Sequence, residues 1–364
     1  MERFRLCLKK GTDNSYDVVV GRGVLRNLPT EVERLGNFSC CALVTDEQVR
    51  PLVAEPLQAQ LRSHGINPVL LAIPVGEKSK TIGTVVSLCE QLVAHGFDRR
   101  SLLLAVGGGV VGDITGFAAA MYLRGIPYIQ VPTTLLAQVD SAIGGKTGVD
   151  LPSGKNLLGA FHQPLLVLSD PEVLATLSPA DMREGLAEVI KSALIGEHRL
   201  FSELEREGAR ILDPGNPLLE ATIARACRVK CEVVSQDERE SGLRRILNFG
   251  HTLGHAVEAA SNYTISHGHA VAAGMGAAIR FSVQQAGLQN SQADRALNLI
   301  RTVELPTELP PDLDPEIVLA ALERDKKIQA GICHFVLLGE IGRPVIQPIP
   351  LESLRRELAK ITTN

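Results

Sequence analysis

The apolar run Ser101–Val106 (SLLLAV) passes without a polar break into Gly107-Gly108-Gly109-Val-Val-Gly112-Asp113, and a helical pattern follows. A buried strand, a glycine turn and a helix, in that order, confine the chain to folds built from parallel β-α units. The glycines allow a tight reversal and let the backbone approach a ligand at the helix N-terminus. The flanking sequence obeys this constraint. Tyr16–Val20, Ser39–Val44 (SCCALV), Pro68–Pro74 and Tyr128–Val131 read as strands. Val24–Arg34, Gln48–His64 and Thr84–His95 read as helices between them. Such alternation predicts a mostly parallel, Rossmann-like sheet with helices on its faces. Ligands then sit beyond the carboxyl ends of the strands.

The pattern changes near Pro171 and Pro179. Helical periodicity dominates afterwards, in Ala180–Ile195, Leu218–Gln236, Gly250–Ser261, His269–Gln285, Ser291–Val303 and Glu316–Lys327. A β-like stretch, Ile332–Leu338, and a last helix, Leu351–Ile361, close the chain, and Pro306, Pro310, Pro311 and Pro315 mark one loop. The expectation is an α/β domain over 1–175 and an all-α domain over 176–364. A length of 364 residues suits about two domains.

Hydrophobic residues at 45% against 21% charged exclude a disordered chain. A net charge of −4 leaves no general positive field for nucleic acid or an anionic membrane. MERFRLCLKKG contains no apolar h-region, and no stretch approaches the roughly 20 apolar residues of a membrane span. The seven cysteines, Cys7, Cys40, Cys41, Cys89, Cys227, Cys231 and Cys333, are odd in number and form no C-x-x-C. Reduced, mostly buried thiols in a cytoplasmic enzyme are expected. Adjacent Cys40 and Cys41 should point to opposite faces of a strand.

The glycine turn matches G-x-G-x-x-G at Gly107, Gly109 and Gly112, a weak signal alone. No acid stands about 20 residues later, where the dinucleotide fingerprint has one. Asp46, at the end of an earlier strand, could accept a ribose hydroxyl or could simply cap the next helix. Between Val131 and Pro164 the chain turns polar, with Thr133, Thr134, Asp140, Ser141, Lys146, Thr147, Lys155 and Asn156, and reads as loops. Gly144-Gly145-Lys146-Thr147 invites a Walker A reading, but that motif needs glycine at position 140, where Asp140 stands, so ATP is discounted. Lys146 and Lys155 are either phosphate-gripping point charges or solvated lysines.

Four of the nine histidines lie between 251 and 269: His251, His255, His267 and His269. His251 and His255 fall on one helical face. Such density favours a metal site completed by a carboxylate. Glu188 on Glu184–Lys191 could supply it, with Glu258 and Glu184 as rivals, and periodicity does not choose which histidines bind. The basic stretch Arg225, Arg228, Lys230, Arg239, Arg244 and Arg245 alternates with acids, which describes a solvated face. Lys230 and Arg244 could still meet an anionic substrate beside the metal.

These residues resemble the 3-dehydroquinate synthase family over nearly the whole chain. The matching blocks are Pro74–Thr81 (PVGEKSKT), Gly107–Phe117, Val131–Thr147, Gly154–Pro164, Glu184–Lys191 (EGLAEVIK) and Gly242–Ala256. One block departs: His269 stands where the family usually has Glu, which puts the groups that orient His267 in doubt. The resemblance implies metal ligands Glu188, His251 and His267, a Zn²⁺ or Co²⁺ ion, and NAD⁺. It implies NAD⁺ contacts at Asp46, Glu77, Lys80, Gly107, Gly108, Gly109, Asp113, Thr133, Thr134, Asp140, Lys146 and Lys155. It implies substrate contacts at Lys146, Asn156, Lys191, Lys230, Arg244, Asn248 and one of Lys326 and Lys327. Catalytic roles fall to His255, Lys146, Lys191, Lys230, Arg244 and Asn248. Arg124 would reach a neighbouring subunit, which implies a homodimer.

The implied reaction converts 3-deoxy-D-arabino-heptulosonate 7-phosphate to 3-dehydroquinate and phosphate, by transient oxidation, β-elimination, re-reduction and aldol closure. Rival readings are another sugar-phosphate cyclase, such as a 2-deoxy-scyllo-inosose or valiolone-type synthase, a metal-dependent polyol dehydrogenase, and an inactive nucleotide-binding module.

Overall fold

The computed structural model describes residues 13–310, 312–323, 328–329 and 332–355. Cys7, Lys326 and Lys327 lie outside the described residues. The first unit is a six-stranded sheet of β1 (Asp17–Val20), β2 (Cys41–Asp46), β3 (Val69–Ile73), β4 (Leu102–Gly107), β5 (Tyr128–Pro132) and β8 (Leu166–Ser169). Their order across the sheet is β1-β8-β5-β4-β2-β3, and every pairing is parallel. The sequence pattern had no strand at 166–169.

Both faces of the sheet are buried, as parallel sheets require. Ala42, Val44, Leu71 and Leu103 pack with Val85, Leu88, Ile114 and Phe117 on one side. Cys41, Leu43, Leu102, Leu104 and Leu168 pack with Leu28, Val32, Leu57 and Leu61 on the other. Cys40 contacts the first cluster and Cys41 belongs to the second, so the adjacent thiols do face opposite ways. The six described cysteines are free thiols.

The segment read as loops between Val131 and Pro164 folds instead into an antiparallel hairpin, β6 (Lys146–Leu151) with β7 (Gly154–Phe161). Its glycines hid the strand signal, because they are scarce in strands. Here they are needed for close approach. A Cβ at Gly159 would stand 2.2 Å from the Thr147 carbonyl oxygen, and one at Gly148 2.6 Å from that of Leu158.

The second unit is helical and opens at Pro179–Ile195, whose Ser178 accepts the N–H of Asp181 at 3.2 Å. Leu219–Gln236, His251–Ala260, His267–Gln285, Asn290–Thr302 and Pro315–Glu323 follow expectation within a few residues, and His198–Glu207 is an additional helix. A small antiparallel sheet adds to it: β9 (Ile328–Gln329), β10 (Ile332–Glu340) and β11 (Arg343–Pro350). It packs on the helix His267–Gln285 through Phe335 edge-on to Phe281 at 5.6 Å. Residues 351–355 are helical where the last helix was expected to begin. Among the described residues no helix is long and apolar enough to cross a membrane.

Candidate functional site

A cleft of about 620 Å³ lies between the sheet unit, the hairpin and the helical unit. That volume suits a small-molecule site. The sheet unit lines it with Glu77, Lys80, Gly109, Asp113 and Asp140, and the hairpin with Lys146, Lys155 and Asn156. The helical unit contributes Lys191, Lys230, Arg244, Asn248, His251, His255 and His267. Glu188 is fully buried at its edge. Arg124 is exposed and lies outside the cleft lining, as do Asp46, Gly107, Gly108, Thr133 and Thr134.

Three helices converge on Glu188. Donor atoms of Glu188, His251 and His267 all lie within 4.8 Å of one another. Nε2 of His251 stands 3.4 Å from Glu188 Oε1, and Nε2 of His267 stands 3.6 Å from the same oxygen. The opposite ring nitrogens have orienting partners: Nδ1 of His251 meets the Phe249 carbonyl at 3.2 Å, and Nδ1 of His267 meets Glu258 Oε2 at 3.3 Å. Histidine ligands to metals are held in this way. Neither carboxylate oxygen of Glu188 has a hydrogen bond of good geometry, although Lys191 contacts Oε2 as an ion pair. Burial would depress the His267 imidazole, but Glu188 and Glu258 outweigh burial and push it up to about 10. Two carboxylates, Glu188 and Glu258, face the two ring nitrogens of His267, an arrangement that favours a cation. The donor set therefore fits a divalent metal with nitrogen and oxygen ligands. His255, Glu258 and His267 form a second close group, which shares His267 and is opened to solvent by His255.

Beside this centre runs a chain of buried charges. Lys230 Nζ donates to Asp140 Oδ1 at 2.6 Å and to its carbonyl at 2.5 Å, and Lys191 Nζ lies 3.8 Å from Oδ1. Burial alone would favour protonated Asp140, but Lys230 and Lys191 reverse this and hold the carboxyl far below the carboxylate range. Burial depresses Lys230. Lys191 is also desolvated, yet Glu188 and Asp140 keep its ammonium raised. Arg244 is only 2% exposed, and its guanidinium donates to the carbonyls of Gly144 (3.1 Å) and Glu238. Its charge reaches the cleft from behind two backbone contacts.

The glycine turn has packing reasons as well as the expected ligand reason. A Cβ at Gly107 would meet Val111 at 2.5 Å, and one at Gly109 would meet Ser141 Oγ at 3.0 Å. The helix Gly109–Met121 begins there, and its first hydrogen bond runs from the Gly112 N–H to the Gly108 carbonyl at 3.0 Å. The preceding N–H groups have no intrahelical partner, as at any helix start. Thr133 Oγ1 and Ser141 Oγ are buried nearby without a hydrogen bond. Bare N–H groups and orphaned hydroxyls beside a crevice fit a dinucleotide pyrophosphate. The chain order switches direction between β2 and β4, where a dinucleotide crosses such sheets. Asp46 ends β2, and its Oδ1 caps the following turn at the N–H groups of Gln48 (2.9 Å) and Val49 (2.8 Å). Thr134 likewise caps Ala137 at 3.1 Å.

Lys80 pairs with Asp113 at 2.6 Å and donates to Asn156 Oδ1 at 2.7 Å. Lys155 reaches Glu258 at 3.1 Å and Glu77 at 3.7 Å. Lys146 pairs with Glu240, whose other oxygen accepts from Asn248 Nδ2 at 2.7 Å. Glu240 is one of the acids interleaved with the basic stretch Arg225–Arg245. It sits in the cleft because the loop turns at φ +59° there, with Asp237 holding the N–H groups of Ser241, Gly242 and Arg244. Glu258, weighed as a metal ligand, orients His267 instead of facing Glu188. Its spacing of seven from His251 on one helix was the available signal. Glu184, the other rival, pairs with His269 Nδ1 at 2.7 Å. His267 is thus oriented by Glu258, and His269 by Glu184.

The family model described as 3-dehydroquinate synthase N-terminal matches residues 70–184, and that described as 3-dehydroquinate synthase C-terminal matches 185–328. A 3-dehydroquinate synthase of Symbiobacterium thermophilum is 45% identical over 92% of this chain and 94% of its own. Among solved structures, a 2-epi-5-epi-valiolone synthase from Streptomyces hygroscopicus subsp. jinggangensis with NAD⁺ and Zn²⁺ bound superposes with a TM-score of 0.89. It is 34% identical and covers 99% of each chain. A 2-deoxy-scyllo-inosose synthase complexed with carbaglucose-6-phosphate, NAD⁺ and Co²⁺ gives 0.86 at 28% identity, covering 95% of this chain and 96% of its own.

Proposed function

The chain belongs to the 3-dehydroquinate synthase family, and on that premise we propose that it converts 3-deoxy-D-arabino-heptulosonate 7-phosphate to 3-dehydroquinate and inorganic phosphate. It is a phosphate-eliminating carbon–oxygen lyase of the shikimate route to aromatic amino acids. One observation carries the reading: a metal-fitting triad, a glycine-turn crevice and six cationic side chains line or border one cleft.

When bound, NAD⁺ supplies reversible hydride acceptance and Zn²⁺ or Co²⁺ supplies Lewis acidity. Glu188, His251 and His267 would hold the metal, with the Phe249 carbonyl and Glu258 fixing the two rings. The turn Gly107–Gly109, with Thr133 and Ser141, would receive the dinucleotide. Asp46, Glu77, Lys80, Asp113, Thr134, Asp140 and Lys155 border it. Lys146 and Asn156, brought together by the hairpin, take the substrate phosphate. Asn248 shares Glu240 with Lys146, so an arriving phosphate takes the place of the Glu240 carboxylate beside Lys146. Glu188 and Asp140 keep the Lys191 ammonium raised beside the metal site, Lys230 pairs with Asp140, and with Arg244 they form a wall of basic groups for the substrate carboxylate. A ring nitrogen of His255, exposed to the cleft, takes and returns the substrate hydroxyl proton. The cleft limits access of bulk water to the reactive intermediates.

The identity of 45% to a dehydroquinate synthase against 34% to a valiolone synthase favours the carboxylate-bearing substrate over the other cyclase substrates. We further propose a homodimer in the cytoplasm. Exposed Arg124 at φ +69°, beside exposed Met121 and Leu123, supports a contact surface outside the cleft, and the free thiols support a reducing compartment.

The test incubates the purified chain with NAD⁺, Zn²⁺ or Co²⁺ and the heptulosonate phosphate, and follows inorganic phosphate and NADH. Phosphate released without net NADH is the expected result. Accumulating NADH would make the chain a dehydrogenase, and neither product would remove the assignment.

A further inference from the structure

Glu184 stands one helical turn before Glu188 on the helix Pro179–Ile195, and its carboxylate leaves its own helix to cap another. Oε2 accepts the Gly268 N–H at 2.6 Å. Oε1 accepts from Ser266 Oγ and lies 2.7 Å from His269 Nδ1. Ser266 Oγ and His269 Nδ1 are themselves 3.0 Å apart. Ser266 is the N-cap of the helix His267–Gln285, yet its side chain accepts no N–H from that helix. The cap comes from Glu184, and a carboxylate there also suits the positive helix end.

The backbones touch at the same place. A Cβ on Gly268 would fall 2.5 Å from the Glu184 carbonyl oxygen and 2.7 Å from its Cα. On the other side of the first helix, a Cβ on Gly185 would fall 2.5 Å from Leu136 N. The segment bearing Glu184 is thus fixed from both sides. Four residues further, about 6 Å along the helix, Glu188 faces His267 Nε2.

We propose that Glu184 is a positioning residue for the metal centre. It ties the start of the His267 helix to the Glu188 helix, and His269 is its partner in that clamp. The inference rests on Glu188, His251 and His267 being the metal set. The clamp holds two of the three donors at one separation, whereas Glu258 sets only the rotation of one ring.

The test measures metal affinity by chelator competition, the visible absorption of the Co²⁺-loaded protein, and the melting temperature of the metal-free protein. The variants are Glu184→Gln, Glu184→Ala, His269→Ala and Glu188→Gln. Loss of a group that orients a ligand costs roughly 10–100-fold in affinity. Glu184→Gln is expected to lose about tenfold or more and to shift the Co²⁺ bands. His269→Ala is expected to lose less, since Gly268 keeps its bond to Oε2. Wild-type affinity and Co²⁺ spectrum in Glu184→Gln, even with a lowered melting temperature, would overturn the proposal, because the clamp would then be purely structural. If Glu184→Ala does not fold, the isosteric Gln variant carries the test. Unchanged metal binding in Glu188→Gln would instead overturn the metal set, a result separable from failure of the clamp alone.

Discussion

Gly274→Ala should weaken metal binding without touching a proposed ligand. Gly274 lies on the helix His267–Gln285, two turns beyond His267, where that helix crosses the helix His251–Ala260. A Cβ at this position would stand 2.0 Å from the Gly250 carbonyl oxygen and 2.8 Å from Gly254 N. Ordinary contact begins at 3.4 Å, so the two backbones must part by about 1.4 Å. Both obstacles are backbone, so no rotamer change relieves them. Gly250 holds φ +78° directly before His251, so the displacement falls next to a proposed metal ligand. Metal–ligand distances tolerate only about 0.2 Å. The shift therefore exceeds what the pair His251 and His267 can absorb around one ion.

Overpacking of this kind costs about 1–3 kcal/mol in stability, and metal affinity should fall by roughly 10–100-fold, as when a ligand loses its orientation. The same helix carries its own control. A Cβ on Gly276 would stand 2.0 Å from the Thr307 carbonyl oxygen, on a contact away from the histidines. Gly276→Ala should cost similar stability and leave the metal site alone. Chelator competition and thermal melts of both variants measure the two effects separately. Equal metal affinity in Gly274→Ala and the wild type, or equal losses in both variants, would refute the argument that helix spacing sets the site.

Lys146→Ala should raise KM for the phosphorylated substrate by about 10–100-fold, since hydrogen bonds to charged groups contribute about 1.5–3 kcal/mol, and should leave NAD⁺ affinity within twofold. Equal weakening of both would assign the hairpin to the cofactor. Asp237 accepts three backbone N–H groups, led by Arg244, which hold its carboxyl well below the carboxylate range. A depressed folded pKa contributes stability that is present above the unfolded value, about 3.9, and is lost as pH falls through the folded value. The wild type should therefore lose part of its advantage over Asp237→Asn on acidification below pH 4, and parallel stability curves for the two proteins down to pH 2 would contradict this. Burial pushes the Cys41 and Cys227 thiols up to about 12. A maleimide at pH 7.5 should modify half-buried Cys40 and Cys231 first and reach Cys41 and Cys227 only on unfolding, as peptide mass mapping would show.

The alternation of apolar runs and helical periods was enough to read a parallel sheet followed by a helical unit, because each strand and each amphipathic helix carries its own local period. Gly107–Gly109 suggested a dinucleotide turn for the same local reason, and the density of His251, His255, His267 and His269 suggested a metal site. The hairpin β6–β7 was not legible, since Gly148 and Gly159 weaken strand propensity and are required only by a partner strand that sequence distance conceals. The choice among Glu188, Glu258 and Glu184 was likewise undecided by spacing, as all three stand in helical patterns. Tertiary packing separates them: Glu188 faces two Nε2 atoms, Glu258 turns to Nδ1 of His267, and Glu184 caps the next helix through Gly268. Glu240 enters the cleft only because a positive-φ turn folds back against Lys146 and Asn248. Periodicity reports which side of an element is apolar; which side chains meet depends on the crossing of helices far apart in the chain, and glycine-to-backbone contacts fix that crossing here.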